Sequence, residues 1–325
     1  MQADCAYSLL GMTNPPSAIV PDYTLPIHNP FNGICADYIN NKHSLSYLPF
    51  AAHNHSVSGL PSWVVDWSVL DTYSCKIWSI IINLFKPSQQ ASQMPQVESY
   101  TTLRMMAYEV DQVEGTSDGF GLIESPPAFS WLCKTLECIQ WPTSPLIASI
   151  CPQARGGKLW SRTLSADCCW GANSARRLTR NDMSFFSSRI LEGSGVANLD
   201  SDEYHDLHRL DPSFELDDGK CVPSDAHFND ILGMISAVLS GMVLFYSKKG
   251  YIGVAKQIVG SGDVVFLVPG CQVPMLMRDA PVGVVVKFKG IEQRAFLVVS
   301  FCYLHGAMDG EILVTEDSFE NILAI

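Results

Sequence analysis

The clearest hydrophobic pattern in the chain lies in its C-terminal third. Between residues 250 and 314, five runs rich in valine, isoleucine and phenylalanine alternate with turn sequences such as Gly-Ser-Gly-Asp and Pro-Gly. Short runs of β-branched and aromatic residues between such turns are typical of antiparallel strands. The pattern therefore predicts an antiparallel β-meander or small barrel.

A second pattern, just before these runs, indicates a helix. Residues 228–246 are apolar nearly all round, as expected of a buried helix. Ser224 and Asp225 can cap its start, and the two lysines and the glycine at 248–250 can close its end. The longest apolar stretch, 231–246, is shorter than the roughly 20 residues that span a bilayer, so we predict no membrane span.

The remaining sequence carries weaker signals. Residues 1–90 contain short amphipathic and apolar segments that indicate a mainly helical part. A stretch rich in serine, glutamine and proline at 86–99 predicts a surface loop or linker, and the partial alternation at 101–115 predicts a strand. We expect a loop-rich mixed region over 91–223 and the helix with the β-meander over 224–325. The predicted fold class is α+β.

Composition and charge narrow the possible partners. The chain is 47% hydrophobic and 17% charged, and its formal net charge of −12 repels nucleic acid phosphates. A basic stretch at 154–180 and an acidic stretch at 198–230 either pair with each other, lie solvated, or bind a partner. Eleven cysteines without an export signal indicate reduced thiols and a cytoplasmic protein.

One aromatic motif, GLPSWVVDWS at 59–68, raises the question of catalysis. A strand through this motif would place Trp63 and Trp67 on one face and Asp66 on the other. Because no histidine, second acid or nucleophile accompanies Asp66 locally, we expect it to accept a bond from an indole or backbone N–H. The alternative is a catalytic pocket in which folding brings His305 to Asp66 between the two tryptophans.

Metal and cofactor sites have little support in the sequence. His205 and His208 form a close pair, but a structural zinc site usually presents two such pairs and the second is missing. No phosphate-binding glycine loop or nucleophile motif occurs in a suitable context. We therefore predict no metal, no cofactor and no nucleic acid partner.

A series of short motifs extends along most of the chain. CAYSLLGMT, PDYTLP, LPSWVVDWS, LRMMAYEVDQV, LWSRTLSAD, GYIGVA, GDVVFLVPGCQVPMLMR and YLHGAMDGE follow one another in this order. In order and spacing the series resembles the C-terminal region of fungal heterokaryon incompatibility (HET) domain proteins. The motif positions, which we expect to specify the fold, are Gly11, Pro21, Asp22, Tyr23, Pro61, Trp63, Asp66, Trp67, Arg162, Asp167, Gly253, Gly262, Asp263, Arg278, Tyr303, Gly306, Gly310 and Glu311.

The resemblance implies a non-enzymatic role in heterokaryon incompatibility. In that role the protein would take part in self/non-self recognition and programmed cell death, or in their regulation, through contacts with a protein partner. The N-terminal HET domain itself, with its LSY-WG signature, would precede CAYSLLGMT, so we expect a truncated copy, a mis-called gene start or a separate regulatory half. Two alternatives stay open: an accessory enzyme of a secondary-metabolite pathway, and an inactive degenerate copy.

Overall fold

The N-terminal part is helical in a computed structural model of the protein. The structure describes residues 19–51, 57–68, 73–88, 94–120, 162–171, 174–179, 225–281, 286–288 and 291–325, together with positions 4, 7, 8, 10 and 182. The helices are α1 (His28–Lys42), α2 (Leu48–Ala51), α3 (Tyr73–Ile81) and α4 (Asp225–Leu239), with 3₁₀ turns at Ile82–Leu84 and Glu316–Ser318.

The strands belong mainly to the C-terminal third, as the hydrophobic runs predict. They are β1 (Gln96–Ser99), β2 (Thr102–Thr116), β3 (Cys168–Trp170), β4 (Ala175–Arg177), β5 (Met242–Ser247), β6 (Ile252–Lys256), β7 (Val264–Leu267), β8 (Met275–Asp279), β9 (Val286–Phe288), β10 (Ile291–Gln293), β11 (Ala295–Leu304) and β12 (Glu320–Ala324). With the N-terminal helices they confirm the α+β class.

Strand pairing closes the main sheet into a ring. β2, β7, β8 and β11 pair in succession as antiparallel neighbours. From β11 the ring returns to β2 by two routes: β12 pairs with both strands, and β6 followed by β5 connects their C-terminal ends. β1 adds an edge strand to the start of β2. The C-terminal meander is therefore completed by β2, the strand predicted over 101–115.

The sheet separates two hydrophobic clusters. One draws on β2, β5, β6, β7, β8 and β11 and includes Val113, Leu267 and Leu304. The other joins the opposite sheet face to the helices and includes Trp78 and Phe266. Because side chains alternate along a strand, the neighbours Phe266 and Leu267 enter different clusters. This arrangement explains why the strands read as continuous apolar runs.

The predicted helix over 228–246 is wrong in its second half. The helix begins at Asp225 but ends at Leu239, and Gly241, with φ of +71°, turns the chain directly into β5. Residues 248–250 form the turn between β5 and β6 and do not close a helix. A buried helix and a buried strand can both appear as a continuous apolar run, which has neither a helical nor a strand period. The sequence pattern therefore predicts one helix where the structure has a helix followed by a strand.

The strand predicted through GLPSWVVDWS is also wrong. Residues 61–68 form turns, in which the Val64 N–H donates to the Pro61 carbonyl oxygen at 3.0 Å. Residues 63–66 are buried in succession, which excludes the alternation of buried and exposed positions that a surface strand would show. Further along the chain, the loop predicted over 86–99 ends in β1, and residues 89–93 lie outside the described residues.

Two further predictions concern thiols and membranes. Cys35, Cys168, Cys169, Cys271 and Cys302 are buried free thiols. Within the described parts of the chain, we find no helix whose length and hydrophobicity would allow it to cross a membrane.

Candidate functional site

Charged side chains from two motifs meet in one place, which we call the Arg177 cluster: Arg162, Asp167, Arg177 and Asp309. Arg162 Nη1 lies 2.6 Å from Asp167 Oδ1, and Arg177 donates to Asp167 Oδ2 through Nε and Nη2 at 2.9 and 2.5 Å. Arg177 also binds both carboxylate oxygens of Asp309, at 2.8 and 2.7 Å. Two arginines and two aspartates thus neutralise one another.

The local fold of the LWSRTLSAD motif positions Asp167. A helical turn at residues 162–164 ends in two residues with left-handed backbone, Ala166 (φ 50°) and Asp167 (φ 55°). The Asp167 N–H donates to the Arg162 carbonyl oxygen at 2.5 Å, which brings the ends of this turn together. β3 starts directly afterwards, and its pairing of Cys168 with Arg177 places the arginine beside Asp167.

Arg177 connects the β3–β4 hairpin to two other parts of the fold. Its guanidinium lies 4.8 Å from the centroid of the Phe85 ring and donates to the Leu84 carbonyl oxygen at 3.4 Å. Burial lowers the pKa of Arg177, but the bonds to Asp309 and Asp167 outweigh it and raise the pKa above its ordinary value. The cation is therefore held permanently in place, as a structural connector requires.

Burial shifts the pKa values of titratable groups in and beside the cluster. Burial raises the pKa of Asp167, and Arg162 and Arg177 oppose this without cancelling it. Burial, with Asp167 nearby, also raises the pKa of Tyr303. His305 has its pKa lowered by burial and by Arg162, against the opposing effect of a neighbouring glutamate. Its Nδ1 lies 3.3 Å from the Tyr303 hydroxyl, so a neutral tyrosine and a neutral imidazole share one hydrogen bond.

A second motif pair fixes the turn before β7. Asp263, 1% exposed, accepts from Arg278 Nε and Nη2 at 2.7 and 2.9 Å and from the Gly260 N–H at 2.9 Å. Gly262 has φ of +95°, a conformation that glycine adopts without strain, and its N–H donates to the Val113 carbonyl oxygen at 2.9 Å. Gly262, Asp263 and Arg278, which belong to one motif of the series, thus form one structural unit.

Gly253 explains how two other motifs meet. Its strand β6 pairs with β11 so that Gly253 lies opposite Leu304, and with β5 so that it lies opposite Phe245. A Cβ at this position would overlap the Tyr303 carbonyl oxygen and stand 2.5 Å from the Phe245 ring. The GYIGVA and YLHGAMDGE motifs therefore contact each other directly.

The GLPSWVVDWS motif uses its aspartate to hold backbone. Asp66 is fully buried; its Oδ2 accepts from the Val57 N–H at 3.2 Å, and its Oδ1 accepts from the Ser68 N–H and hydroxyl at 3.0 and 2.5 Å. The Trp63 indole donates to a backbone carbonyl at 3.3 Å. The bonds from the Val57 and Ser68 N–H groups favour the structural interpretation of Asp66.

The PDYTLP segment combines a fixed backbone with exposed side chains. Asp22 Oδ1 accepts from the Thr24 N–H and hydroxyl at 2.9 and 2.6 Å, and the Tyr7 hydroxyl bonds to both the N–H and the C=O of Asp22. Three apolar side chains remain exposed to solvent: Val20 (80%), directly before the segment, and Tyr23 (65%) and Leu25 (47%) within it.

Arginines of the basic stretch at 154–180 form ion pairs within the fold. The three arginines of this stretch that the structure describes pair with three aspartates outside the acidic stretch. The ion pairs are Arg162–Asp167, Arg177–Asp167, Arg177–Asp309 and Arg176–Asp182. Residues 198–224 of the acidic stretch lie outside the described residues, so its pairing stays a prediction.

Other predicted positions are spread over the fold. Gly11, His205 and His208 lie outside the described residues. Glu311 accepts from the Asp309 N–H at 2.6 Å beside the Arg177 cluster. Over the described ranges, no three histidine, cysteine, aspartate or glutamate side chains are grouped so that they could hold a metal ion.

Sequence reasoning missed two members of the Arg177 cluster. In the sequence, Arg177 is one of several residues of the basic stretch, and Asp309 is one residue of the YLHGAMDGE motif. The available signal is Asp167 followed by the arginine pair Arg176 and Arg177. This signal can be interpreted only when the register of the β3–β4 hairpin is known, because the register decides which of the two arginines lies beside Asp167.

Comparison with protein families identifies one match. Residues 220–323 match the model of the Het-6 beta-barrel domain. Over these residues, the match confirms the resemblance to the C-terminal region of HET-type proteins. No curated protein and no solved structure matches the chain.

Proposed function

We propose that this protein acts through contacts with a protein partner in heterokaryon incompatibility, either in self/non-self recognition or in its regulation. The observation that carries the proposal is the match of residues 220–323 to the Het-6 beta-barrel domain. The motif series continues the resemblance through the N-terminal two thirds of the chain. We place the action in the cytoplasm of a fungal cell.

The use of the motif side chains supports a binding role over a catalytic one. Arg162 bonds to Asp167, and Asp263 bonds to Arg278, so these charges are engaged within the fold. A catalytic or ligand-binding charge has to face its ligand within hydrogen-bond reach. Asp66, the strongest catalytic candidate in the sequence, is buried and bonded to backbone.

The PDYTLP segment offers a contact surface of the kind that protein interfaces use. Val20, Tyr23 and Leu25 are exposed, whereas bonds to Asp22 fix the backbone between them. Aromatic and aliphatic side chains presented from a fixed backbone lose little conformational entropy on binding. We therefore propose this segment as part of the partner-binding surface.

The test uses the full chain, tagged and expressed in a filamentous fungus. The surface variant carries Val20→Ser, Tyr23→Ser and Leu25→Ser, and the matched control carries Ile80→Ser and Met94→Ser, which remove exposed apolar side chains elsewhere. We expect crosslinking to capture a specific protein with the wild type and the control, accompanied by slowed growth. The surface variant should lose both effects.

Two results would contradict the proposal at different levels. If the wild type captures no specific protein and leaves growth unchanged, the role in incompatibility is wrong. If the surface variant behaves like the wild type, the role stands and the choice of surface is wrong. Equal urea midpoints for all three proteins would show that folding does not explain the differences.

A further inference from the structure

The connection between β11 and β12 contains a segment whose backbone is unpaired. Residues 311–315 belong to no helix or strand. Among the described residues, no protein group bonds to the backbone N–H or C=O of Ile312, Leu313 or Val314. Ile312 and Val314 pack against one hydrophobic cluster of the barrel, whereas Leu313 between them is 91% exposed. This alternation is typical of an extended chain that lies with one side on a core.

The charges in and around this segment have one sign. Glu311 precedes the apolar residues, and Glu316 and Asp317 follow them. The whole stretch 309–317 contains four carboxylates and no lysine or arginine. An exposed leucine between acids is complementary to a surface that combines an apolar contact with cations.

The β9–β10 hairpin of the same chain offers a strand edge with cations. β9 pairs with β10, and over the described ranges it pairs with no other strand, so one edge of β9 has no strand partner there. Lys287 lies within β9 and Lys289 follows it in the sequence, whereas the acid of the hairpin, Glu292, lies in β10. Sheet edges of this kind bind extended segments through main-chain hydrogen bonds.

We propose that residues 311–315 of one copy of this chain add as a strand to the β9 edge of a second copy. The unpaired N–H and C=O groups of the segment then join a ladder, Leu313 leaves water, and the acids of the segment meet the edge that carries Lys287. Because the segment and the edge are different surfaces, the contact is head-to-tail. It uses neither residues 20–25 nor a partner of another kind, so it stands apart from the function proposed above.

Sedimentation velocity of the purified full chain measures this association. At an ionic strength of about 0.15 M the Debye length is about 8 Å. Long-range repulsion between two copies of net charge −12 is then screened, whereas charges in contact still attract. We expect the weight-average mass to rise above that of the monomer between about 1 and 200 µM protein.

Two variants each remove one of the two surfaces. The segment variant carries Leu313→Ser, Glu316→Gln and Asp317→Asn, and the edge variant carries Lys287→Glu and Lys289→Glu. Each alone should weaken the association at least about tenfold. Because each variant keeps the surface that the other lacks, a mixture of the two should form one-to-one complexes that grow no further. Recovery in the mixture also excludes unfolding and net charge as the cause of the loss.

A control variant removes the same kinds of side chain elsewhere. It carries Ile258→Ser, Glu114→Gln and Asp118→Asn, three exposed positions outside both surfaces, and should associate like the wild type. A wild type that stays monomeric over this concentration range would overturn the proposal. A mixture of the two folded variants that stays monomeric, or a control that loses association, would also overturn it, because other surfaces or net charge would then determine the contact.

Discussion

Replacing Gly253 by alanine tests whether the barrel depends on a close approach between strands. The new methyl group would stand 2.5 Å from Phe245 Cε1 and Cζ and would also overlap the Tyr303 carbonyl oxygen. Unstrained carbon contacts lie at about 3.5 to 4.0 Å, so the overlap with the ring is about 1 Å. The ring can move, but the carbonyl belongs to β11, which pairs with β6 at this point.

Two opposing effects set the magnitude. Overpacking in a well-packed region costs about 1 to 3 kcal/mol, and the backbone overlap puts this site near the upper end. Replacing a glycine also restricts the unfolded chain, which returns about 0.4 to 1 kcal/mol of stability. We therefore expect Gly253→Ala to lower the free energy of unfolding by about 2 kcal/mol.

Urea unfolding followed by tryptophan fluorescence measures this change as a shift in midpoint with an unchanged slope. Gly260→Ala is the matched control, since a Cβ at Gly260 meets nothing within 4 Å and the residue has no left-handed backbone. That control should be neutral or slightly stabilising. Equal midpoints for Gly253→Ala and the wild type would refute the packing argument.

Three other predictions concern charges and boundaries. Asp263→Asn removes the buried negative charge and replaces one acceptor oxygen by an N–H donor that faces other donors. It should cost about 2 to 4 kcal/mol in urea unfolding, whereas the exposed Glu109→Gln should cost less than about 1 kcal/mol. Burial raises the pKa of Asp182, but bonds from Arg176 and a threonine outweigh it and hold the pKa well below its usual 3.8. Its stabilisation is therefore present above about pH 4 and lost below it, so the stability difference between wild type and Asp182→Asn should shrink between pH 7 and pH 3. A fragment of residues 224–325 should elute as aggregates in size-exclusion chromatography, because it lacks β2; a monomeric fragment would contradict the ring.

The parts of the fold that the sequence predicts are those with local signals. Runs of valine, isoleucine and phenylalanine between turn residues identify the C-terminal strands, and Asp225 marks a helix start. Patterns fail where local signals are ambiguous: the apolar run at 228–246 fits a helix or a strand equally, and Gly241 alone divides them. Tryptophan-rich turns at 61–68 imitate alternation because aromatic residues in turns are also buried.

The candidate site depends on contacts that no local pattern contains. Arg162 and Asp167 are five residues apart and could be paired from the sequence, but Asp309 joins them only through the tertiary fold. The pairing of Asp263 with Arg278 requires knowing that β7 and β8 are neighbours.

The barrel in the structure includes residues that lie outside the range matched by the family model. The family match spans 220–323, yet β2, at residues 102–116, pairs with β12 along its first half, with β7 at its middle and with β5 at its end. Without β2, each of these three strands has a free edge, and free edges in an apolar sheet promote aggregation. The ring is thus a unit assembled from both sides of residue 220.

The motif charges contribute to the same assembly, since Arg177 from the middle region bonds to Asp309 beside the barrel. A partner that separated the β3–β4 hairpin from the barrel would have to break this bond, so the Arg177 cluster is where binding and barrel stability would be coupled.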